Sequence, residues 1–295
     1  MTKLAVVIAS KGRPAELGLW IDHIRRQTHK PDLLIWSVAG EDDLPDLSPL
    51  PEAERPTIRM ARAGLCAQRN EALRALPADT DIVAFFDDDY VPSANCLAGL
   101  IAFFERSPDV VGATGQLLAD GIRSPGISLE TGLAMVDEHD RVGREPVEWP
   151  LGPVVGLYGC NMAFRYGAIN GERFDENLPL YGWQEDVDFA RRVARYGALC
   201  RTDAFVGVHL GSKGGRVNGR RLGYSQVANM IYLIRKGTMP AGYGLKRMMC
   251  NIIANHARAL IAEPWIDRRG RLRGNWMALG DFMRGRMTPL RVLDL

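Results

Sequence analysis

The sequence contains no closely spaced pair of cysteines. Its five cysteines, Cys66, Cys96, Cys160, Cys200 and Cys250, lie far apart, which argues against a CxxC zinc ribbon or redox pair. Their odd number and scatter fit reduced thiols in a cytosolic compartment, each acting as a small buried hydrophobe. No uninterrupted apolar run approaches the ~20 residues of a membrane-spanning helix. The opening run, Leu4 to Ala9, is followed at once by Lys11 and Arg13. It is too short for the core of a signal peptide and reads as a first buried strand. The glycine fingerprint of dinucleotide-binding folds is missing after that strand. The aromatics fall at core spacing rather than interleaved with basic residues, so nucleic acid is not expected as a partner.

What is present is an ordinary globular composition, 46% hydrophobic and 24% charged over 295 residues. That length suits one large α/β domain with an extension, or two modest domains. The net charge of +2 hides an asymmetry. Residues 210–295 hold 16 Lys and Arg against 4 Asp and Glu, whereas residues 1–209 hold 21 against 31. An acidic body with a basic tail region suggests two tasks.

Periodicity predicts the elements. Leu4 to Ala9 and Leu33 to Val38 read as buried strands, with a helix over residues 15–27 between them, giving a right-handed βαβ unit and a parallel sheet. The Pro-rich residues 45–56 read as a loop. A helix enters at Gly64 to Leu73, a third strand runs from Asp81 to Phe86, a helix covers residues 93–106, and Val110 to Thr114 reads as a fourth strand. Residues 119–153 carry no clear pattern. Further strands are expected within Val154 to Arg165 and over Leu199 to His209, with a helix from Glu185 to Tyr196. From about residue 222 the pattern is helical. There Leu245, Met248, Met249, Ile252, Ile253, His256, Leu260 and Ile261 form one face, and Lys246, Arg247, Asn251, Asn255 and Arg258 the other.

Asp87-Asp88-Asp89 closes the third strand. Three adjacent carboxylates repel one another unless a cation sits among them. Ligands of open α/β sheets bind beyond the carboxyl ends of the strands, and alternate residues of an extended segment point the same way. Asp87 and Asp89 therefore converge on a site for a hard divalent cation, Mn²⁺ or Mg²⁺. A solvated acidic turn is the competing reading. Glu185 and Asp186 open a helix after Tyr181-Gly182-Trp183-Gln184, a rigid position for a general base. Carboxylates there also suit the helix dipole, and Trp183 is either a sugar-stacking face or core. His209 begins a Gly-rich basic loop in which Lys213 and Arg216 are placed to hold a diphosphate, unless the loop is a plain linker. Arg69 and Asn70 begin a helix where a nucleotide would meet a guanidinium.

Taken in order, VVIASKGRP at 6–14, GLCAQRNEAL at 64–73, FFDDDYVP at 85–92, GCNMAFR at 159–165, FDENLPLYGWQEDVDFARR at 174–192 and HLGSKGGR at 209–216 resemble glycosyltransferase family 2. Any one motif is weak, but six in order are specific. The resemblance implies a GT-A fold, a Rossmann-like, mostly parallel mixed sheet flanked by helices, over residues 1–216, with a basic helical C-terminal extension over 217–295. It implies that Asp87 and Asp89 are the metal-binding DxD motif, completed by His209. Asp186 matches the catalytic base, with Glu185 beside it. Ala9, Ser10, Arg13, Arg69, Asp87 and Asp88 fall at the nucleotide sugar, and Asn161 and Met162 lie on the segment flooring the sugar site. The family's Asp-x-Ser-x-Asp stretch is replaced by Val38-Ala-Gly-Glu-Asp-Asp43, where Glu41 or Asp42 would take over recognition of the base. The QxxRW motif of processive synthases is absent, which favours addition of single sugars.

The expected chemistry is inverting transfer of a sugar, UDP-activated by the family's habit, onto a hydroxyl acceptor. The basic tail would suit a lipid-linked glycan in exopolysaccharide or capsule synthesis, placing a cytoplasmic enzyme at the inner face of the membrane. Packing onto the catalytic domain and a homodimer interface are the competing readings of the tail. A sugar nucleotidyltransferase is the rival enzyme, and an inactive transferase fold serving as a basic anion- or membrane-binding scaffold the rival non-enzyme.

Overall fold

The computed structural model describes residues 2–143, 154–214, 218–260 and 263–295. In chain order these form β1 (Leu4–Ala9), α1 (Pro14–Arg26), β2 (Leu33–Val38), β3 (Thr57–Met60), α2 (Leu65–Arg74), β4 (Ile82–Asp87), β5 (Tyr90–Pro92), α3 (Cys96–Arg106), β6 (Val110–Asp120), α4 (Leu129–Val142), β7 (Asn161–Arg165), α5 (Tyr166–Ile169), α6 (Glu185–Val193), β8 (Ala198–His209), α7 (Gly219–Lys236), α8 (Ala241–Arg258) and α9 (Arg268–Met283). The strands make one sheet in the order β3-β2-β1-β4-β7-β6-β8-β5. The half from β3 to β4 is parallel, β7 runs antiparallel to both its neighbours, and β6 and β8 pair in parallel. The architecture is a mixed, mostly parallel α/β sheet flanked by helices, with α7 to α9 as a C-terminal helical extension, as the GT-A arrangement requires.

The period of two decides which helices cover which face. On β1 and β4, Leu4, Val6, Ile8, Ile82, Ala84 and Phe86 pack with Leu17 and Trp20 of α1 and Leu97, Leu100 and Phe104 of α3. The intervening Ala5, Val7, Val83 and Phe85 face the other layer, with Ala72 and Leu73 of α2 and Phe189 of α6. Tyr224, Val227 and Met230 of α7, Met248 of α8 and Ala278 of α9 belong to that same buried cluster. The C-terminal helices therefore share the core of the sheet's second face.

The sequence pattern missed β3 and β5, because each is too short to establish an alternation. β6 extends six residues past the expected Thr114, to Asp120, and the unpatterned stretch after it contains α4. The expected apolar face of α8 is only partly buried. Met248 is covered, but Leu245, Met249 and Ile253 are 47%, 47% and 60% exposed. Asn255, assigned to the polar face, is buried, and its amide donates to Gln226 Oε1 and Asn275 Oδ1, each at 2.9 Å. Tertiary hydrogen bonds thus satisfy a polar group that periodicity would leave in solvent.

Helices α7 and α9 approach backbone to backbone. A Cβ on Gly223 would lie 2.1 Å from the Arg271 carbonyl oxygen, and one on Gly274 2.0 Å from that of Arg220. Gly223→Ala should therefore force the helices apart at a cost of roughly 1–3 kcal/mol. The expected result is a lowered thermal midpoint of the full chain; an unchanged midpoint would contradict so close a crossing.

Candidate active site

The parallel half of the sheet brings the carboxyl ends of β1 and β4 together, with Ala9 opposite Asp87. The three aspartates part there, Asp87 closing β4 and Asp88 and Asp89 forming the turn before β5. Asp87 faces α2, where Arg69 Nη2 donates to its Oδ1 at 3.2 Å. Asp88 faces α1, where its carboxylate accepts from Ser10 Oγ at 2.6 Å and Arg13 Nη1 at 2.7 Å. Asp89, 4% exposed, accepts from the Ser212 N–H at 2.7 Å. β5 pairs with the end of β8, setting Tyr90 opposite His209. That pairing carries the imidazole to the acids. One ligand atom each from Asp87, Asp89 and His209 lies within 4.8 Å of the others.

The donor set suits a divalent cation. Two hard carboxylates and an imidazole fit Mn²⁺ or Mg²⁺, and Zn²⁺ thiolate chemistry is ruled out by the ligand types. His209 Nδ1 is 2.9 Å from Asp120 Oδ1, and Nε2 is 3.3 Å from Asp89 Oδ1. Asp120 thus fixes the ring so that Nε2 faces the site, as outer carboxylates orient metal-binding histidines. Tyr158 Oη donates to the other oxygen of Asp120 at 2.9 Å. Burial lowers the His209 pKa, but the hydrogen bonds to Asp120 and Asp89 outweigh it and raise the value to about 10. A cation would take the place of that proton. Sequence reasoning missed Asp120, which lies at the far end of a strand expected to stop earlier.

Arg69 is the second centre of charge. It is 1% exposed and buried between Glu185, whose Oε1 accepts at 2.7 Å, the Gly159 carbonyl at 2.9 Å, and Asp87. It lines the small pocket of Asp186. Its three partners explain why it tolerates burial: the guanidinium fork is filled by acceptors. Burial opposes its charge, and Glu185 and Asp87 more than restore it. Asn70, in the second turn of α2 rather than at its start, turns inward and holds the Phe174 backbone and Glu176.

The turn before α6 is held in an unusual backbone. Leu180, Gly182 and Gln184 all have positive φ, at 58°, 64° and 74°. For the two non-glycine residues this conformation costs of order 1–2 kcal/mol each. The result is that Tyr181 and Trp183 both line cavities, and Glu185 and Asp186 begin a helix at the pocket floor. Asp186 accepts from the Gly159 N–H at 2.9 Å and from its neighbour Val187 N–H at 2.8 Å. Burial raises its pKa, and those two hydrogen bonds offset the rise only in part. Glu185 is pushed up further by burial, despite Arg69.

A cavity of about 390 Å³ opens beyond β1 and β4, lined by Ala9, Ser10, Arg13, Asp87, Asp88 and Tyr181. Arg221 of α7 also lines it, a residue the sequence reading did not single out. Four of the expected residues lie away from this lining. Asn161 and Met162 are both 0% exposed; Asn161 Oδ1 accepts from Thr114 Oγ1 at 2.7 Å and Met162 sits in the hydrophobic core, so Tyr158, Gly159 and Cys160 line the pocket instead. Glu41 is exposed and outside the cavity lining. The acid that turns inward is Asp43, which accepts from the N–H groups of Gly12, Ala39 and Gly40 at 2.6, 2.9 and 3.1 Å and ties the ends of β1 and β2 together. Lys213 bends back onto the carbonyls of Gly121 and Ile122 and lines a second, larger cavity. Arg216 lies outside the described residues.

With this geometry in place, residues 5–117 match the model of Glycosyl transferase family 2. The matched stretch, under half of the chain, runs from β1 into β6 and includes Arg69, Asp87 and Asp89. Asp186 and His209 lie beyond it and join the site only through the sheet. Solved structures share the fold. S. aureus TarS has 12% identity and a TM-score of 0.53 over 89% of this chain, which spans 44% of TarS. The mannosyltransferase PcManGT from Pyrobaculum calidifontis, in complex with GDP-Man and Mn²⁺, has 14% identity and a TM-score of 0.54, covering 99% of this chain and 85% of its own. Glucosyl-3-phosphoglycerate synthase from Mycobacterium tuberculosis, in complex with Mn²⁺, UDP and glucosyl-3-phosphoglycerate, has 19% identity and a TM-score of 0.51, covering 81% of each chain. A search of curated proteins finds no match. At these identities the likeness is one of fold.

Asp120→Asn keeps the shape of the side chain but removes the charge that orients His209. It should weaken Mn²⁺ binding about 10–100-fold, measured by calorimetry on the folded protein. Unchanged affinity would remove Asp120 from the metal site.

Proposed function

We propose that this protein is an inverting, metal-dependent glycosyltransferase that moves a sugar from a nucleoside diphosphate, UDP by preference, to a hydroxyl acceptor. One observation carries the reading: Asp87, which clusters with Asp89 and His209, lines both a cavity at the strand ends and the pocket of Asp186. A donor lying in the first with its diphosphate at the cluster would present its anomeric carbon to the second. The family match and the nucleotide complexes of two similar folds, one with GDP-Man and one with UDP, support the same chemistry.

Asp87, Asp89 and His209 would hold Mn²⁺ or Mg²⁺, which when bound neutralises charge on the departing diphosphate. The residues of the chain do the rest. Ala9, Ser10 and Arg13 line the cavity floor for the nucleotide. Arg13, held by Asp88 and by the Gly214 and Ser212 carbonyls, ties the loop after β8 to the loop after β1. Asp186 accepts the acceptor's hydroxyl proton as that oxygen bonds to the anomeric carbon. The bond from that carbon to the diphosphate oxygen breaks, and the nucleoside diphosphate leaves with the electron pair. Attack opposite the leaving group inverts the centre. Trp183 and Tyr181 offer faces on which a sugar ring would stack. Arg13 is committed to Asp88, which weakens the nucleotidyltransferase reading, since that enzyme needs a basic loop free to meet phosphates.

No helix among the described residues is long and apolar enough to cross a membrane. The exposed stripe of Leu245, Met249 and Ile253, with Leu260 at 90% exposure beyond it, supports a peripheral site on an anionic bilayer, where a lipid-linked glycan acceptor would be met. Flotation with phosphatidylglycerol vesicles should recover the wild type and lose Ile253→Asp. Equal recovery of the two would remove the stripe from membrane binding.

Calorimetry with UDP, GDP and dTDP, with and without Mn²⁺, tests the donor. Metal-dependent binding of one diphosphate, lost in Asp89→Ala, is expected; absence of binding in every condition would overturn the transferase reading. Asp186→Asn should bind the same diphosphate while kcat falls roughly 10²–10⁴-fold. The base must be ionised to act, and burial holds its pKa above the ordinary aspartate value. The rate should therefore rise with pH on a limb lying above the usual carboxylate range and flatten once Asp186 is ionised. A limb at the ordinary aspartate position would mean that the base is not the buried group.

A further inference from the structure

The larger of the two cavities lies between the catalytic sheet and the C-terminal helices, with a volume of about 980 Å³. It adjoins the pocket of Asp186, because Tyr158, Tyr181 and Trp183 line both. Its charge is one-sided. Arg123, Lys213, Arg247, Arg258, Arg268 and Arg271 line it against the acids Asp120 and Asp267. Both acids are engaged elsewhere: Asp120 orients His209, and Asp267 caps α9 by accepting from the Gly270 N–H at 2.7 Å. Arg258 and Arg268 share Glu263 as a partner. Arg123 and Arg247 are exposed and make no hydrogen bond or ion pair within the described residues. The first turns of two long helices, α7 and α9, also reach the cavity through Gly219 and Arg268, adding the positive ends of their dipoles.

Glu263 offsets Arg258 and Arg268, and Lys213 is held by the Gly121 and Ile122 carbonyls. Arg123 and Arg247 still add positive charge to the concave space, which favours an entering anion. Arg247 also acts on Asp186, lowering its pKa as one of the smaller influences on that group. The cationic cavity is therefore electrostatically coupled to the base, and an aromatic wall lies between them. Resting on the transferase reading, we infer that this cavity binds the acceptor by an anionic group, a phosphate or carboxylate attached to the sugar whose hydroxyl reacts. The ring stacks on Trp183 and Tyr181 beside Asp186, and the anion is held by Arg247 and Arg123. A neutral glycan would leave those guanidiniums without a partner, so the site selects acidic acceptors over neutral ones.

The test uses the full chain saturated with UDP and Mn²⁺, so that the donor site is filled before any acceptor probe is added. Glucose 1-phosphate, glucuronate and methyl glucoside are then titrated by calorimetry. The phosphate or the carboxylate should bind at least tenfold more tightly than the neutral glycoside. Arg247→Ala and Arg123→Ala should each weaken that binding roughly tenfold or more, with Arg247→Lys retaining part of it. Arg273→Ala, on the exposed face of α9 outside the cavity lining, serves as the control that leaves it unchanged. Cys250 lines the same cavity and is exposed, so the bound probe should also protect it from alkylation in the wild type, a readout that needs no variant to fold. A prenyl phosphate sugar binding more tightly than glucose 1-phosphate would assign the anion to a lipid carrier, and equal affinity to a soluble acceptor. Equal binding of neutral and anionic probes, or no effect of the arginine substitutions together with no protection of Cys250, overturns the inference. Failure of UDP and Mn²⁺ to bind at the first step would instead sink the transferase reading beneath it.

Discussion

The buried guanidinium of Arg69 is the interaction on which the rest of the site depends. Asp87, Glu185 and Asp186 approach one another from a strand end and a helix start that are distant in sequence, and Arg69 stands between the first two. Arg69 opposes the burial that pushes the Glu185 carboxyl toward its neutral form. Arg13 does the same for Asp88, whose pKa burial still raises to about 6. The chain thus supplies fixed positive charge on two sides of the aspartate triplet and leaves the third side, between Asp87, Asp89 and His209, to a cation from outside. The end of β4 makes this division possible, since Asp87 closes the strand and the turn after it carries Asp88 and Asp89 to other partners.

Precision in that arrangement comes from backbone as well as charge. Gly159 approaches the Glu185-Asp186 pair so closely that a Cβ there would lie 3.2 Å from Asp186 Oδ2. The left-handed residues of the preceding turn and the hydrogen bond from the Gly159 N–H hold Asp186 at the pocket floor. Strain of this kind persists only where packing overdetermines it. The stacked Phe174 and Phe189, 4.0 Å between ring centroids, and the bond from Leu65 N–H to the Leu180 carbonyl supply that packing around the turn.

The C-terminal helices have two relations to the catalytic sheet. Their inner faces complete its core, through Tyr224, Val227, Met248 and Ala278. The same helices border both cavities, with Arg221 at the smaller and Arg247, Arg258, Arg268 and Arg271 at the larger. The basic character of the tail is therefore concentrated, in part, where a reacting anion would lie, and the exposed apolar stripe of α8 is a separate surface. A single excess of positive charge in the sequence divides into these two settings only once the helices are packed.

Much of this protein follows from sequence alone. Continuous apolar runs fixed β1, β2 and β4 nearly to the residue, because buried parallel strands need apolar side chains on both faces. The abrupt Asp87-Asp88-Asp89 ending located the site, because a strand's carboxyl end is where an open α/β sheet admits ligands. Ordered motifs then supplied the family resemblance. The tertiary structure decided what depends on neighbours distant in the chain. It made Arg69 a buried counter-ion, chose Asp43 over Glu41, withdrew Asn161 and Met162 into the core and brought Asp120 behind His209. Periodicity reports which face of an element is apolar, but the partner of a polar group is set by which strands lie side by side, and pairings such as β5 with β8 and β6 with β8 have no local signature.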